Sequence, residues 1–417
     1  MAKILQHTLD NGLSIILEPN SSVQSAALSW FVPAGVATDP EKKQGLAAMW
    51  AELLLRGAGT RDSRAQADAF DMVGAGRSTR VSSRFLSLGT TVMGDRLAEA
   101  LPLLAEMVLA PRFESDAIEP ARDLAIAAIE ALNDEPAQLA ALHAKARHLA
   151  APFNRSRLGT REGLGSLTRA DIVESWSRRA VPTGSILAVA GNIEPHAVID
   201  QLGALLGTWT GSVPEPMPIG RPGRGYAHKT EETNQVQIVL LYDAPKASSE
   251  EAMLERLTMA VLSGGMSARL FTEVREKRGL CYSVHANYSS DRDFGLVSAE
   301  VGTQPERAQE SLVVLVDELL RITTPEGAVS AEEFARAVAG MKSRLIFHGE
   351  STAARASTLA GDTFSRGAPR SLGEVAAEID AISLEQLNAY LATRSLGRVT
   401  VQTVGPAELT MPKSLLT

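Results

Sequence analysis

Cysteine is nearly absent from this chain of 417 residues, and its scarcity excludes a disulfide-stapled fold. The single Cys281 cannot form an internal disulfide. Basic residues are also in the minority, since 41 Lys and Arg face 49 Asp and Glu, which gives a net charge of −8. Without a surplus of positive charge, we expect neither nucleic-acid binding nor attraction to anionic membrane surfaces.

Long apolar runs are missing as well. No stretch reaches the roughly 20 apolar residues of a membrane-spanning helix, so we expect no membrane insertion. The first residues pass directly into a strand pattern and lack the charged segment, apolar core and cleavage site of an export signal. We therefore expect a cytoplasmic protein, or a periplasmic one if such a signal has been removed. The composition, 45% hydrophobic and 22% charged, is typical of folded proteins.

Local patterns predict an alternation of strands and helices. The turn sequence Asp10-Asn11-Gly12 between two apolar segments predicts a hairpin, and 26–32 is predicted to be a strand. We predict that Asp39 caps the next helix and that Pro40 lies in its first turn. Apolar periodicity predicts further helices, among them Ser63–Val73, 136–149, Pro195–Leu206, 266–277 and 351–365.

The order of predicted elements occurs twice, at an offset of about 210 residues. Between the two copies, 211–225 is rich in proline and glycine and is predicted to be a linker, after which the strand 235–242 opens the second copy. We predict an α/β (α+β) fold with two tandem, structurally similar domains at 1–210 and 226–417. Each is a mixed β-sheet packed with several long helices.

The predicted helix at 45–55 lacks the side chains of a metal site. Its apolar residues recur at intervals of three and four and indicate one buried face, whereas Ala48, Ala51 and Glu52 share another face. In the inverted zinc motif H-x-x-E-H, two histidines bind the metal and the glutamate is the general base. Here the three positions are Ala48, Ala51 and Glu52. We predict that Glu52 is a solvated or hydrogen-bonded side chain and not a metal ligand.

Three segments carry a family resemblance: T-L-D-N-G-L at 8–13, G-L-A at 45–47, and R-L-F-T-E-V-R-E-K-R-G-L-C-Y-S-V at 269–284. Through them the whole chain resembles the pitrilysin/insulinase superfamily of zinc peptidases, particularly the paired bacterial subunits akin to mitochondrial processing peptidase. The resemblance implies that the chain forms half of a clamshell around a peptide. It also implies a third zinc ligand, a glutamate, at a position that is Ala128 here. We therefore expect no metal in this chain and zinc in a partner subunit.

The remaining candidate ligands and nucleophiles offer no replacement. His143 and His148 are five residues apart, the wrong spacing for one helix face, and the other histidines are scattered. Glu130 does not restore the site without histidines at the motif positions. Cys281 has no identifiable His or Asn partner and is not predicted to be a nucleophile.

In catalytic assemblies of this family, the subunit without zinc supplies an arginine and a tyrosine seven residues apart, and the matching residues are Arg275 and Tyr282. A tyrosine hydroxyl can stabilise the charge that develops on a peptide carbonyl oxygen, and an arginine can bind substrate carbonyls. The alternative is structural, with the arginine capping a helix and the tyrosine packed in a strand. Gly264 and Gly265 lie where the resemblance implies the glycine-rich substrate loop of related non-catalytic subunits, although the longer glycine run of the family is absent. A simple helix-ending turn explains the two glycines equally well.

These residues lead to one main functional prediction and two alternatives. The chain is predicted to be the non-catalytic subunit of a heterodimeric zinc endopeptidase, with a homologous zinc-bearing subunit as partner and peptides or unfolded proteins as substrates. The first alternative is a structural or peptide-binding subunit of a larger complex. The second is a self-sufficient metallopeptidase that uses an unrecognised site.

Overall fold

The structure, a computed structural model, describes residues 3–415. The strands are β1 (Leu5–Thr8), β2 (Ser14–Pro19), β3 (Ser25–Val32), β4 (Gly57–Ala58), β5 (Arg61–Asp62), β6 (Gly76–Val81), β7 (Leu86–Met93), β8 (Ile186–Gly191), β9 (Gly225–Thr230), β10 (Val236–Ala244), β11 (Cys281–Ser290), β12 (Gly295–Thr303) and β13 (Thr400–Gly405). The helices are α1 (Leu46–Leu53), α2 (Ser63–Val73), α3 (Leu97–Leu109), α4 (Ser115–Ala131), α5 (Pro136–His148), α6 (Arg161–Ser166), α7 (Arg169–Arg179), α8 (Pro195–Leu206), α9 (Ala252–Ser263), α10 (Ala308–Arg321), α11 (Ala331–Gly349), α12 (Thr352–Arg366), α13 (Leu372–Asp380) and α14 (Leu384–Thr393). Within these residues, no helix is both long and apolar enough to cross a bilayer.

The chain folds into two compact units that do not follow the contiguous ranges predicted from the sequence. The first unit comprises the chain up to Ala131 together with Ala151–Ile219 and His348–Ser371. The second comprises Leu132–Ala150, Gly220–Phe347 and the chain from Leu372 onward. Helix α5 therefore belongs to the second unit and helix α12 to the first, which corrects the simple division at 211–225.

Small apolar residues explain where α5 and α12 lie. In the second unit, Ala140 and Ala144 of α5 pack on Val239 and Val404 of the sheet. In the first unit, a similar apolar cluster joins α12 to the sheet and consists of Ala356, Leu359, Ala360, Ile16, Ile186, Ala188 and Ala190. Helical periodicity shows that each helix has an apolar face, but it does not show which sheet covers that face.

The two sheets have the same topology, which confirms the predicted duplication. The first has the order β1-β2-β8-β3-β7-β6 and the second the order β9-β13-β10-β12-β11. In both, one parallel pair (β2/β8 or β13/β9) is followed by antiparallel neighbours. The additional strand β1 comes from the predicted hairpin, which pairs Leu5 with Leu17 and has a φ of 88° at Gly12. Strand β9 was not predicted, because its sequence GYAHKT does not alternate between apolar and polar residues. In the structure, most of its residues are half-buried.

Helix α1 contributes large side chains to the core of the first unit. Met49, Trp50 and Leu53 are fully buried, as the apolar spacing predicted. The Trp50 Nε1–H donates to the carbonyl oxygen of Ile172 at 3.0 Å, and the indole ring meets Trp176 edge-on at 5.4 Å. Burial of each such side chain stabilises the fold by about 2 kcal/mol, so this face is required for folding.

Asp39 caps α1 from a distance and does not lie at the helix boundary, which corrects the predicted start. The helix begins at Leu46 after Gly45, whereas Pro40 lies before a short 3₁₀ turn. The Asp39 carboxylate accepts hydrogen bonds from the backbone N–H of Gly45 at 2.8 Å and of Ala47 at 3.1 Å. The segment between Asp39 and α1 folds back, so that the buried Asp39 carboxylate lies at the helix N-terminus. There it accepts hydrogen bonds from N–H groups that have no partner within the helix.

The buried Asp39 is expected to make stability depend on pH. Burial raises the pKa of Asp39 from 3.8 to about 7, although the backbone donors and Arg155 oppose this shift. Folding raises this pKa, so the folded state favours the protonated carboxyl. The contribution of Asp39 to the free energy of unfolding is therefore fully present below pH 3.8 and is lost as the pH rises toward 7. The unfolding free energy of the wild type, relative to Asp39→Asn, is expected to fall by at most about 4 kcal/mol over this interval. Urea titrations of both proteins across this range measure the difference, and a constant difference would contradict the assignment.

Candidate functional site

The face of α1 that matches the zinc motif carries one carboxylate, and that carboxylate is engaged. Ala48 and Ala51 are half-buried, and the Ala51 carbonyl oxygen accepts a hydrogen bond from Thr79 Oγ1 at 2.7 Å. Glu52 Oε1 accepts hydrogen bonds from Arg56 Nη2 at 2.6 Å and from Nε at 2.9 Å. The prediction that Glu52 is a hydrogen-bonded side chain is confirmed.

The position of the third zinc ligand offers no donor. Ala128 is exposed on α4, the helix that packs against α1. Glu130, two residues further on, forms an ion pair with Arg161. Nowhere in 3–415 do three His, Cys, Asp or Glu side chains lie close enough together to hold a metal ion. Because a catalytic zinc site needs about three protein ligands, the described residues do not fit such a site.

The buried histidine and the single cysteine have structural surroundings. His148 is fully buried, with its Nδ1 3.0 Å from Thr400 Oγ1 and its Nε2 3.3 Å from Asp243 Oδ1. Cys281 is half-buried, and burial raises the pKa of its thiol to about 11 despite the nearby charge of Arg275. The thiol therefore remains protonated at neutral pH.

A π-helix, Phe271–Glu276, presents Arg275 on the surface of the second unit. The Lys277 N–H donates to the Thr272 carbonyl oxygen at 2.9 Å, five residues back, where an α-helix would use the fourth. The neighbouring cations are engaged, since Lys277 Nζ and Arg278 Nη1 bind the Glu273 carboxylate at 2.7 and 2.8 Å. The exposed Arg275 guanidinium, by contrast, makes no hydrogen bond or ion pair with the part of the chain that the structure describes.

Tyr282 lies at a β-bulge in the edge strand β11. Cys281 pairs with Thr303 and Ser283 pairs with Gly302, so that Tyr282 is the extra residue. A bulged residue leaves the regular alternation of the strand, and its side chain is re-aimed. The Tyr282 side chain is 78% exposed, so the alternative in which it packs within the strand is wrong.

The structure brings Arg275 and Tyr282 together. The Arg275 guanidinium carbon lies 5.8 Å from the centre of the Tyr282 ring and 5.0 Å from that of Phe271. Gly279, with a φ of 59°, turns the chain between the π-helix and β11. The apolar periodicity of 266–277 predicts an ordinary helix here, and no local pattern predicts the π-helix or the bulge. The pair is an exposed cation beside an aromatic ring, with the arginine donors available to a ligand.

The glycines of the predicted substrate loop border a groove of about 320 Å³ between α9 and α11. A Cβ at Gly264 would lie 2.2 Å from the Ala260 carbonyl oxygen, whereas Gly265 has open space. The Gly264 carbonyl oxygen also accepts a hydrogen bond from Arg344 Nη1 at 3.2 Å. Gly264 therefore has a structural reason to be glycine, and the backbone of Gly265 is open to a ligand. Neither Arg275 nor Tyr282 lines this groove.

Comparison with known families gives matches along most of the chain. Residues 14–161 match the family described as insulinase (peptidase family M16), and residues 166–341 match the peptidase M16 inactive domain. The chain belongs to peptidase family M16. This confirms the family resemblance seen at 8–13, 45–47 and 269–284, and it assigns the duplicated fold to the two parts of an M16 protein.

Curated M16 relatives extend over nearly the whole chain. An uncharacterized zinc protease of Mycobacterium leprae is 27% identical over 424 residues, which covers 99% of this chain and 95% of the relative. The uncharacterized zinc protease YmxG of Bacillus subtilis is 25% identical and covers 92% of this chain and 94% of the relative. The similarity therefore extends over more than nine-tenths of this chain and of both relatives.

Solved structures share the M16 fold of this chain. A peptidase M16 inactive domain from Pseudomonas fluorescens superposes with a TM-score of 0.87 at 19% identity, covering 98% of this chain and 99% of that chain. A protease from Helicobacter pylori gives a TM-score of 0.85 at 16% identity, covering 97% and 100%. A chain of complex III2 from Candida albicans gives 0.83 at 18% identity, covering 97% of each chain.

Proposed function

We propose that this M16 protein is the non-catalytic subunit of a heterodimeric zinc endopeptidase. The observation that carries the proposal is the exposed pair Arg275 and Tyr282, whose guanidinium makes no hydrogen bond or ion pair with any described residue. The motif positions on α1 of the same chain carry two alanines and a glutamate that is bonded to Arg56. A homologous partner with an intact H-x-x-E-H would hold the zinc. This chain would form half of the peptide-degrading chamber, and its substrates would be peptides or unfolded proteins.

The chemistry of the pair suits a role beside a partner's metal site. The metal supplies the Lewis acid that activates water. As the peptide carbonyl is attacked, negative charge grows on its oxygen, and the Tyr282 hydroxyl would donate a hydrogen bond to that oxygen. The Arg275 guanidinium would donate to backbone carbonyls of the bound peptide and hold it in register. Its position over two aromatic rings restricts its orientation before a substrate binds.

Two features of the relatives support a peptidase context. The M. leprae and B. subtilis proteins are named zinc proteases, and their similarity extends over most of their own length. The second family match bears the description of an inactive domain and includes both Arg275 and Tyr282. A heterodimer in which one subunit holds the zinc and the other supplies contacts to the substrate requires a chain that keeps this pair and lacks the metal ligands.

Reconstitution tests the proposal. The purified chain alone is expected to retain no stoichiometric zinc after dialysis and to cleave no unstructured peptide, because its described residues offer no ligand set. An equimolar mixture with the homologous zinc-bearing subunit is expected to cleave the peptide much faster than that subunit alone. Peptide cleavage followed by mass spectrometry and metal analysis of each subunit provide the measurements.

Each alternative predicts a different result. Zinc retained by the single chain, together with cleavage, would establish a self-sufficient metallopeptidase. The structural or peptide-binding alternative draws on the fold shared with a chain of complex III2 from C. albicans. It predicts co-purification with a larger complex and no stimulation of the zinc-bearing subunit. As a control, the partner with its general-base glutamate changed to glutamine must leave the mixture inactive.

A further inference from the structure

Two buried hydroxyl groups lie among the core side chains of the second unit, beside the turn that leads to Tyr282. Thr303, the last residue of β12, is 2% exposed, and Ser311 on α10 is 0% exposed. Val301 on the same strand and Leu312 on the same helix belong to the apolar core. A hydroxyl in such surroundings costs free energy unless it is hydrogen-bonded, so both groups require partners.

Both hydroxyls meet at one backbone carbonyl, that of Leu280. Thr303 Oγ1 donates to this oxygen at 2.5 Å. Ser311 Oγ lies 3.2 Å from the same oxygen and 3.2 Å from Thr303 Oγ1. Leu280 is the residue before β11 and is 4% exposed. Because a carbonyl oxygen has two lone pairs, two hydroxyls from different elements can bind it together.

The Leu280 carbonyl belongs to the turn that separates Arg275 from Tyr282. The N–H of Gly279 donates to the Arg275 carbonyl oxygen at 3.0 Å. The N–H of Leu280 donates to the Val274 carbonyl oxygen, also at 3.0 Å. These two bonds tie the turn to the π-helix that carries the arginine. The two hydroxyls tie it to β12 and α10, so the turn is held from both sides.

The β-bulge makes the tyrosine depend on this turn. Tyr282 is the extra residue where β11 pairs with β12, and such a residue is left unpaired by the ladder. Its side chain is 78% exposed, so packing in the core does not fix it either. The position of the ring therefore depends on the chain immediately before it, which is held at Leu280.

We propose that Thr303 and Ser311 are positioning residues for the pair Arg275 and Tyr282, because they hold the Leu280 carbonyl and thereby keep the tyrosine ring beside the guanidinium. The inference rests on the proposed function, since the pair would act on a peptide only in the assembled peptidase. Without the Thr303 hydroxyl, the buried acceptor loses a partner, and a small shift of the turn can bring it another. A displacement of about 1 Å at a reacting group can lower a rate about a hundredfold.

The positioning itself is tested in the full chain without its partner, by fluorine NMR after incorporation of 3-fluorotyrosine. The chain has five tyrosines, and the resonance of Tyr282 is the one that disappears in Tyr282→Phe. Thr303→Val keeps the branched shape and is expected to shift or broaden this resonance. Thr303→Ser keeps the hydroxyl and is expected to restore the wild-type position.

The matched control is Thr400→Val. Thr400 is 0% exposed in the same sheet, and its Oγ1 lies 3.0 Å from His148 Nδ1, so the variant also loses one buried hydroxyl contact. Strand β13, on which Thr400 lies, is separated from β11 by two strands. The Tyr282 resonance is therefore expected to stay in place in Thr400→Val.

The consequence for turnover is measured in the mixture with the zinc-bearing subunit. Thr303→Val is expected to lower kcat about tenfold and to change KM by less than about twofold, and Ser311→Ala to lower kcat about threefold. A positioning residue acts through the Tyr282 hydroxyl. In the Tyr282→Phe background, Thr303→Val is therefore expected to lower kcat by less than a further twofold or so. A purely structural defect would lower kcat by the same factor in both backgrounds.

Three outcomes would overturn the inference. They are an unmoved Tyr282 resonance in Thr303→Val, equal kcat values of Thr303→Val and Thr400→Val, and an undiminished effect of Thr303→Val in the Tyr282→Phe background. If the wild-type mixture cleaves no peptide, the proposed function fails, and the resonance still decides whether the hydroxyls position the tyrosine. If circular dichroism shows that Thr303→Val does not fold, Ser311→Ala provides the same two measurements.

Discussion

Replacement of Tyr282 with phenylalanine is expected to lower kcat of the reconstituted peptidase about a hundredfold and to leave KM nearly unchanged. The variant loses only the hydroxyl, and one donor to a developing oxyanion contributes about 3 kcal/mol to transition-state stabilisation. The ring and its contact with Arg275 are retained, so substrate binding changes little. Because the side chain is 78% exposed, the fold does not depend on the hydroxyl. Steady-state kinetics of the mixed subunits measure both constants.

Arg275 provides the contrasting variant. Arg275→Gln removes donors to the bound peptide and is expected to raise KM more than it lowers kcat. The control is Arg278→Gln, because Arg278 lies close by in sequence but already donates to Glu273 at 2.8 Å. Unchanged turnover in Tyr282→Phe would refute the assigned role of the tyrosine. An equal rise of KM in Arg275→Gln and Arg278→Gln would mean that Arg275 acts only through its positive charge and not through specific hydrogen bonds to the peptide.

Removal of the buried carboxylate of Glu255 is expected to destabilise the second unit by about 3–5 kcal/mol. Glu255 and Arg394 are buried together, with side chains that are 1% and 4% exposed. The carboxylate accepts hydrogen bonds from Arg394 Nε at 2.9 Å and from the Tyr390 hydroxyl at 2.6 Å. Glu255→Ala would leave the guanidinium without a counter-charge in a medium that solvates it poorly. Urea unfolding followed by circular dichroism measures the loss.

Two matched variants separate burial from the ion pair itself. Asp380→Ala removes the partner of Lys342 from an exposed pair, with side chains that are 55% and 40% exposed, and should cost about 0.5 kcal/mol. The double variant with methionine at both 255 and 394 should regain much of the stability lost in Glu255→Ala, because two apolar side chains leave no uncompensated charge. Equal losses in Glu255→Ala and Asp380→Ala would mean that burial does not determine the cost.

Local signals in the sequence predicted much of the secondary structure. Helix α8 was placed correctly at Pro195–Leu206 because proline occupies its first turn and apolar residues recur along one face. Helix α2 follows Asp62, whose side chain accepts a hydrogen bond from the N–H of Ala65, three residues on. The duplicated order of elements was visible because each copy carries its own strand and helix patterns. These features depend on neighbouring residues, and the sequence contains that information directly.

The alanines at 48, 51 and 128 were likewise known from the sequence, because the absence of a ligand needs no structure. The proximity of Arg275 and Tyr282 was not. It depends on a π-helix, on a turn at Gly279 and on a one-residue bulge where β11 pairs with β12. No short-range pattern predicts where a ladder of hydrogen bonds loses its register.

The sequence by itself determined the family, the two copies of the fold and the empty motif positions on α1. Only the tertiary structure decided that α5 packs on the second sheet and α12 on the first, that Asp39 caps α1 through a loop, and that Tyr282 faces solvent. The physical reason is the range of the interactions. Periodicity and turn chemistry act over a few residues, whereas the burial of an apolar face or a carboxylate depends on which distant segment covers it.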